Sequence, residues 1–124
     1  MADLPPGSAP QQKLGMQLYV IITKPVVPPE KIATKIQDHL KHQIEIERQG
    51  ILFGAGPLFE DGAESPHAGM IVVRANSFAE ADKIAQGDPF HSSGFREYTI
   101  TRWSLNEGSI NLKIDYSDQT VKVS

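Results

Sequence analysis

The stretch IQDHLKHQIEIERQGILFGAGPLFEDG, residues 36–62, decides the fold because it joins a helical pattern directly to a strand pattern. Upstream of it, the prolines at 28 and 29 and the acidic Glu30 are typical of a helix start. Downstream, Gly50 is typical of the residue that ends a helix. The pattern therefore predicts one helix from about Glu30 to Gln49, followed at once by a strand.

Three further strands and a second helix lie around this stretch. The four strand patterns, rich in apolar and β-branched residues, cover residues 16–23, 51–62, 68–75 and 95–103. Ser77, with Glu80 three residues later, forms a capping box that predicts the second helix at residues 78–86. This order of elements is that of the ferredoxin-like βαββαβ domain, an α+β fold with an antiparallel sheet. Two helices cover one face of such a sheet, and a partner's sheet commonly covers the other, so we expect a homodimer.

The two ends of the chain differ in composition from the middle. Residues 1–13 are rich in Pro, Gly, Ser and Gln and bury little apolar surface, so they predict a disordered tail. Residues 105–124 contain INLKIDY and TVKVS on either side of a polar turn, a pattern that indicates an added C-terminal β-hairpin. The ferredoxin-like domain itself is predicted over residues 14–104.

The composition excludes several classes of protein. The net charge is −3, from 12 Lys and Arg against 15 Asp and Glu, and no basic run is present that would bind a phosphate backbone. The absence of Cys excludes disulfides, thiolate catalysis and Cys-ligated metals. No apolar stretch is long enough to cross a bilayer, and the first residues lack the apolar core of a signal peptide. We therefore expect a cytoplasmic protein that binds neither nucleic acid nor membrane.

The predicted first helix carries polar residues on its apolar face. At about 3.6 residues per turn, the residues that fall within roughly 40° of Ile32 are Ile36, His39, Gln43 and Ile46. An imidazole on such a face is either a core group with its hydrogen bonds made inside the protein or a functional group, and the pattern alone favours the first. A carboxylate on one ring nitrogen would fix the tautomer and leave the other nitrogen as a base. Asp88, between the second helix and the last strand, could supply it, although an Asp before a proline is also an ordinary turn residue.

The span DHLKHQIEIERQGILFGAGPL, followed by GMIVV and later by DPFHSSG, resembles the YCII-related (YciI-like) family over about residues 16–104. The resemblance implies a dimeric α+β barrel and a site that pairs a helix histidine with the aspartate of an Asp-Pro motif. In this chain those residues are His39 and Asp88. A characterised branch of the family eliminates chloride from a chlorinated hydroxyhydroquinone, most members have no assigned reaction, and some are fused to or encoded beside sigma-factor-like regulators. The resemblance therefore implies a site but not a substrate.

These observations predict a cofactor-free lyase or isomerase that moves a proton on a small aromatic or enolisable molecule, with His39 as base or acid and Asp88 as its orienting partner. The residues expected to bind the substrate are Gly54, Gly56, Pro57, Phe90, His91 and Gly94. We expect no metal, since the i,i+3 spacing of His39 and His42 does not define a metal site. Two alternatives stay open. The protein could be a dimeric module that binds a small molecule without chemistry, in a regulatory or stress role, or the His39–Asp88 pair could be only structural.

Overall fold

The computed structural model describes residues 14–124, so the tail predicted at residues 1–13 lies outside the described part of the chain. In chain order the elements are β1 (Met16–Pro25), α1 (Pro29–Ala33), α2 (Ile36–Arg48), β2 (Leu52–Leu58), β3 (Ala68–Arg74), α3 (Phe78–Gln86), α4 (Pro89–Ser92), β4 (Arg96–Leu105), β5 (Leu112–Asp115) and β6 (Thr120–Val123). Every predicted strand has its counterpart. The connector expected after Asp88 is the one-turn helix α4.

Strands β1 to β4 form one sheet in the order β2-β3-β1-β4, with β3 antiparallel to both of its neighbours. This is the ferredoxin-like order, and it confirms the predicted α+β fold, which is the subunit architecture of dimeric α+β barrels. The central strands β1 and β3 are rich in β-branched residues and pair Ile21 with Ile71. β2 and β3 form an antiparallel hairpin, and their register shifts between Leu52 and Gly54.

The first helix differs from the prediction, because the structure divides it into α1 and α2. The N–H groups of Thr34 and Lys35 bond to carbonyls three residues back instead of four, and the Thr34 hydroxyl also donates to the Lys31 carbonyl. Bonds of this tighter type are common where an α-helix ends. A single long helix over 30–49 is therefore wrong, and α2 begins again at Ile36.

The buried stripe of α2 is shorter than predicted. Ile46 is buried, and both His39 and Gln43 are half-buried. Ile36, predicted on the same stripe, is the first residue of α2 and is 40% exposed. The stripe that meets the rest of the domain therefore runs from His39 to Ile46, and two of its residues are polar.

The core lies between the sheet and the helices α2 and α3. It consists of Tyr19, Ile21, Ile46, Ile71, Val73, Ala75, Ala81 and Ala85. The small side chains of Ala81 and Ala85 let α3 approach the sheet closely. As predicted, Ser77 caps α3, because its hydroxyl accepts a hydrogen bond from the Glu80 N–H.

The chain divides into two compact units, and each is described by itself. Residues 17–104 form one unit, which contains the core and the site discussed below. Residues 105–124 belong to the other, in which β5 and β6 form the predicted hairpin with Leu112 opposite Val123. Within residues 14–124, no helix has both the length and the apolar character needed to span a membrane.

Candidate functional site

Asp88 is the residue that starts the one-turn helix α4. Its backbone is extended, and Pro89 follows at the first helical position, a local sequence that favours a helix start. Asp88 Oδ1 accepts a hydrogen bond of 2.9 Å from the Phe90 N–H, so the carboxylate caps α4. Only 1% of the residue is exposed. The cap and the burial together hold this carboxylate in a fixed position.

His39, on the buried stripe of α2, contacts the other oxygen of the same carboxylate. Its Nδ1 lies 2.7 Å from Asp88 Oδ2. Because an ionised carboxylate only accepts hydrogen bonds, Nδ1 carries the proton, and in the neutral ring Nε2 is the free acceptor. Among residues 14–124, no side chain or backbone group hydrogen-bonds to Nε2. The two residues that the sequence pointed to are therefore in direct contact.

Hydrogen bonding sets the charge of Asp88, and stacking sets the orientation of His39. Burial by itself would raise the pKa of the Asp88 carboxyl, but hydrogen bonds from His39 and from the Phe90 N–H outweigh it and lower the pKa. The Phe90 ring stacks on the imidazole with their centroids 4.4 Å apart. The imidazole is thus held at its edge by a carboxylate and on its face by an aromatic ring.

A cleft of about 550 Å³ is lined by this pair. Its volume lies within the range of small-molecule sites. One wall is α2, and another is the segment of β2 from Leu52 to Pro57. The polar side chains that line it are Thr23, His39, Gln43, Glu47, Asp88 and Arg96. The cleft can therefore surround a small molecule and present it to His39.

Four of the predicted binding residues line the cleft: Gly54, Gly56, Pro57 and Phe90. A Cβ added at Gly54 or Gly56 would meet nothing within 4 Å, so both glycines leave open space along β2. Their contribution to the lining is made by backbone atoms alone. Pro57 and Phe90 supply apolar surface on two different walls.

The other two predicted binding residues, His91 and Gly94, do not line the cleft. The His91 ring makes its hydrogen bonds to Thr23 and to the Ala85 carbonyl instead. Gly94 lies just after α4 with φ of +77°, a left-handed conformation that glycine adopts without strain. Its place in the fold is the turn from α4 into β4.

Four polar residues of the cleft were not among the predicted site residues: Thr23, Gln43, Glu47 and Arg96. A signal for two of them was present in the strand patterns. Side chains two residues apart on a strand share a face of the sheet. Thr23 therefore shares a face with Ile21, and Arg96 shares one with Tyr98; both of these neighbours belong to the core side. A polar residue at such an inward position is the observation that could have identified them.

A protein-family model of the YCII-related domain matches residues 16–104, which include the whole cleft. The chain belongs to the YCII-related family. Among solved structures, it is similar to a 5-chloro-2-hydroxyhydroquinone dehydrochlorinase from Burkholderia phenoliruptrix in complex with 2,5-dihydroxybenzoquinone. The two chains are 20% identical, with a TM-score of 0.54 over 70% of this chain and 93% of that one. At this identity the likeness shows the fold alone. A comparison with curated proteins gives no match.

The cleft of this YCII-related domain combines three kinds of group: an oriented imidazole, a buried carboxylate and a guanidinium. Within the described residues, no three side chains of His, Asp or Glu cluster in a way that could hold a metal ion. An imidazole whose Nδ1–H is fixed by a carboxylate can take a proton at Nε2 and return it. Proton transfer is therefore the chemistry that these groups can perform.

Proposed function

We propose that this YCII-related protein is a cofactor-free enzyme of the lyase or isomerase type that moves a proton on a small aromatic or enolisable molecule. The observation that supports the proposal is the 2.7 Å contact between His39 Nδ1 and Asp88 Oδ2 in the wall of the cleft. In this role Asp88 orients the imidazole and stabilises the imidazolium that forms when Nε2 takes a proton.

In the proposed reaction, the Nε2 lone pair of His39 takes a proton from an acidic C–H or O–H group of the bound molecule. The electron pair that remains either expels an anionic leaving group, after which Nε2 releases its proton to solvent, which gives elimination, or takes the proton back from Nε2 at another atom, which gives isomerisation. The similar solved structure is a dehydrochlorinase of a chlorinated hydroxyhydroquinone. That name supports a ring-shaped substrate for the chemistry proposed here.

The test is His39→Gln, which keeps a polar side chain but removes the base. On a substrate found by screening hydroxylated rings and enolisable acids, we expect turnover to fall by about a hundredfold or more. The fold should be kept, since the Gln amide can still donate a hydrogen bond to the buried Asp88 carboxylate. His42→Gln is the matched control, because His42 is also on α2 but does not line the cleft. Full activity in His39→Gln would show that the assignment is wrong.

A second candidate function, ligand binding without chemistry, is supported by Gln43. Its Oε1 is buried, and within the described residues no protein group hydrogen-bonds to it. A buried acceptor without a donor is costly, and a hydroxyl group of a bound molecule would satisfy it. If wild-type protein binds compounds from the panel but turns over none of them, this binding role, with a regulatory or stress function, replaces the enzymatic one.

We also infer that two copies pair through the sheet face opposite α2 and α3. Leu18 and Val72 alternate with core residues and therefore point to that face, where they are already buried within the chain. The exposed apolar surface is supplied by larger side chains, such as Phe53, whose ring meets that of Trp103 edge to face. Trp103 points the same way and is 39% exposed. A sheet with an apolar second face is expected to be covered by another layer. Light scattering should show a dimer for the wild type and a monomer for Trp103→Glu; a monomeric wild type would contradict the inference.

A further inference from the structure

Arg96, at the start of β4, is a charged residue of the cleft that the proposed proton transfer does not use. Its Nε donates a 3.0 Å hydrogen bond to Thr23 Oγ1, and one Nη donates a 3.0 Å bond to the Thr23 carbonyl. Its guanidinium carbon lies 5.6 Å from the centroid of the Phe90 ring, which is the ring that stacks on His39. The remaining N–H groups of the guanidinium bond to no described residue. A fixed positive group with spare donors therefore lines the same cleft as the imidazole.

The charge of Arg96 has no ion-pair partner among residues 14–124. Asp88 is close enough for its charge to act on Arg96, but Oδ2 is bonded to His39 and Oδ1 to the Phe90 N–H. Burial lowers the pKa of Arg96, which shows that the charged form is partly desolvated. A partly buried guanidinium that has free N–H donors and no carboxylate partner is suited to binding an anion.

Thr23 and His91 hold this guanidinium in place. His91 Nδ1 lies 2.7 Å from the Ala85 carbonyl, which only accepts, so Nδ1 carries the proton of the neutral ring. His91 Nε2 then accepts from the Thr23 hydroxyl at 2.8 Å, and the lone pairs of Thr23 Oγ1 are left for the Arg96 Nε–H. Burial lowers the pKa of His91 and so favours the neutral form that this arrangement needs. Each donor in the chain has one acceptor, which fixes the direction of every bond.

We propose that Arg96 is the anion-binding residue of the cleft, that Thr23 and His91 are its positioning residues, and that the ligand is a small organic anion whose charged oxygen Arg96 binds. A guanidinium suits this role because it offers two parallel N–H donors to a carboxylate or an ionised hydroxyl oxygen. The inference shares the cleft with the proposed function and names its substrate class. It does not require that His39 moves a proton.

The test is calorimetric titration with two pairs of ring probes, each of which compares an anion with a neutral analogue on the same ring. Benzoate and benzamide report on a carboxylate, and 2,5-dihydroxybenzoquinone and 2,5-dimethoxybenzoquinone report on an ionised hydroxyl group. We expect the anion of at least one pair to bind about ten- to a hundredfold more tightly than its neutral match. The pair that shows the difference identifies the source of the charge.

Variants assign the preference to Arg96. Arg96→Gln should remove the preference for the anion, and Arg96→Lys should restore part of it. Thr23→Val should lower the affinity for the anion more than that for the neutral match, since it removes one of the two hydrogen bonds that hold the guanidinium and leaves the charge in place. Arg102→Gln is the matched control, because Arg102 is on the same strand, is exposed and does not line the cleft.

Two outcomes overturn the inference. One is wild-type protein that binds neither anion more tightly than its neutral match, a result that needs no variant to fold. The other is an unchanged preference in folded Arg96→Gln. His39→Gln should keep the preference for the anion, so a loss of turnover in that variant tests the proposed function separately.

Discussion

His39, on α2, and His91, within α4, show how a hydrogen-bond partner decides what an imidazole can do. Each ring donates from Nδ1 across 2.7 Å, His39 to the Asp88 carboxylate and His91 to the Ala85 carbonyl. The two rings differ at Nε2, which is unpaired in His39 within the described chain but accepts from the Thr23 hydroxyl in His91. One ring is therefore available for proton transfer, and the other is fully engaged in holding neighbouring groups.

Of the substitutions that test the difference between His39 and His91, Asp88→Asn is expected to have the largest effect, a loss of turnover. Asparagine caps helices as well as aspartate does, so α4 and the fold should be kept. If the new amide group donates to His39 Nδ1, the ring proton moves to Nε2 and the free base is lost. Turnover should then fall by about a hundredfold or more. Nitrogen NMR of the imidazoles should show the tautomer of His39 reversed and that of His91 unchanged.

An Asp88→Asn protein whose His39 keeps the wild-type tautomer would contradict this account of the pair. The measurement needs no substrate, so it tests the orientation of the base even if the protein only binds a ligand. The His91 signal in the same spectrum is the internal control, because its partner is a backbone carbonyl that the substitution does not change.

The next effect in size is the loss of stability in Asp88→Ala. This change removes the cap of α4 and leaves the Phe90 N–H and His39 Nδ1–H without their acceptor. We expect the free energy of unfolding to fall by about 2 kcal/mol, and by clearly less in Asp88→Asn. Urea denaturation of both variants measures the difference. Equal losses in the two variants would show that the cap contributes little.

A smaller effect concerns His91 and the pH dependence of stability. Burial lowers the pKa of His91 in the folded protein, so on acidification the unfolded chain takes up this proton first. Its contribution to stability is complete above the ordinary value of 6.5 and is lost as the pH falls through the folded value. The free energy of unfolding should therefore decline below about pH 6.5 less steeply in His91→Gln than in the wild type. Parallel profiles for the two proteins would contradict this.

The smallest effect is expected from His42, the other histidine of α2. Its ring packs near Gly87, where an added Cβ would come within 3.0 Å of the imidazole carbon. His42→Ala removes this contact but no hydrogen bond found among the described residues. We expect a change in stability below about 1 kcal/mol and unchanged affinity for any ligand of the cleft. A marked loss of ligand affinity would extend the site beyond the two histidines compared here.

The sequence predicted the order of the elements because each strand and helix has a local signal, such as the cap at Ser77 and the stop at Gly50. It also pointed to His39, since a polar residue interrupts an apolar helical stripe. The break at Thr34 was missed because it depends on a choice between bonds three and four residues back, which the residue pattern does not reveal. Arg96 was missed for a different reason. Its importance lies in charge balance, and only tertiary contacts show that Asp88 is already engaged.

The cap of α4 couples the orientation of the His39 ring to a single turn of helix. The two oxygens of the Asp88 carboxylate make the hydrogen bond to the Phe90 N–H and the contact with His39. If the bond to the Phe90 N–H breaks, the carboxylate is no longer fixed, and the His39 contact weakens with it. Fraying of α4 would release the imidazole while the sheet and its core stay folded. Amide hydrogen exchange at Phe90 is therefore a direct readout of how much of the population holds a correctly oriented base.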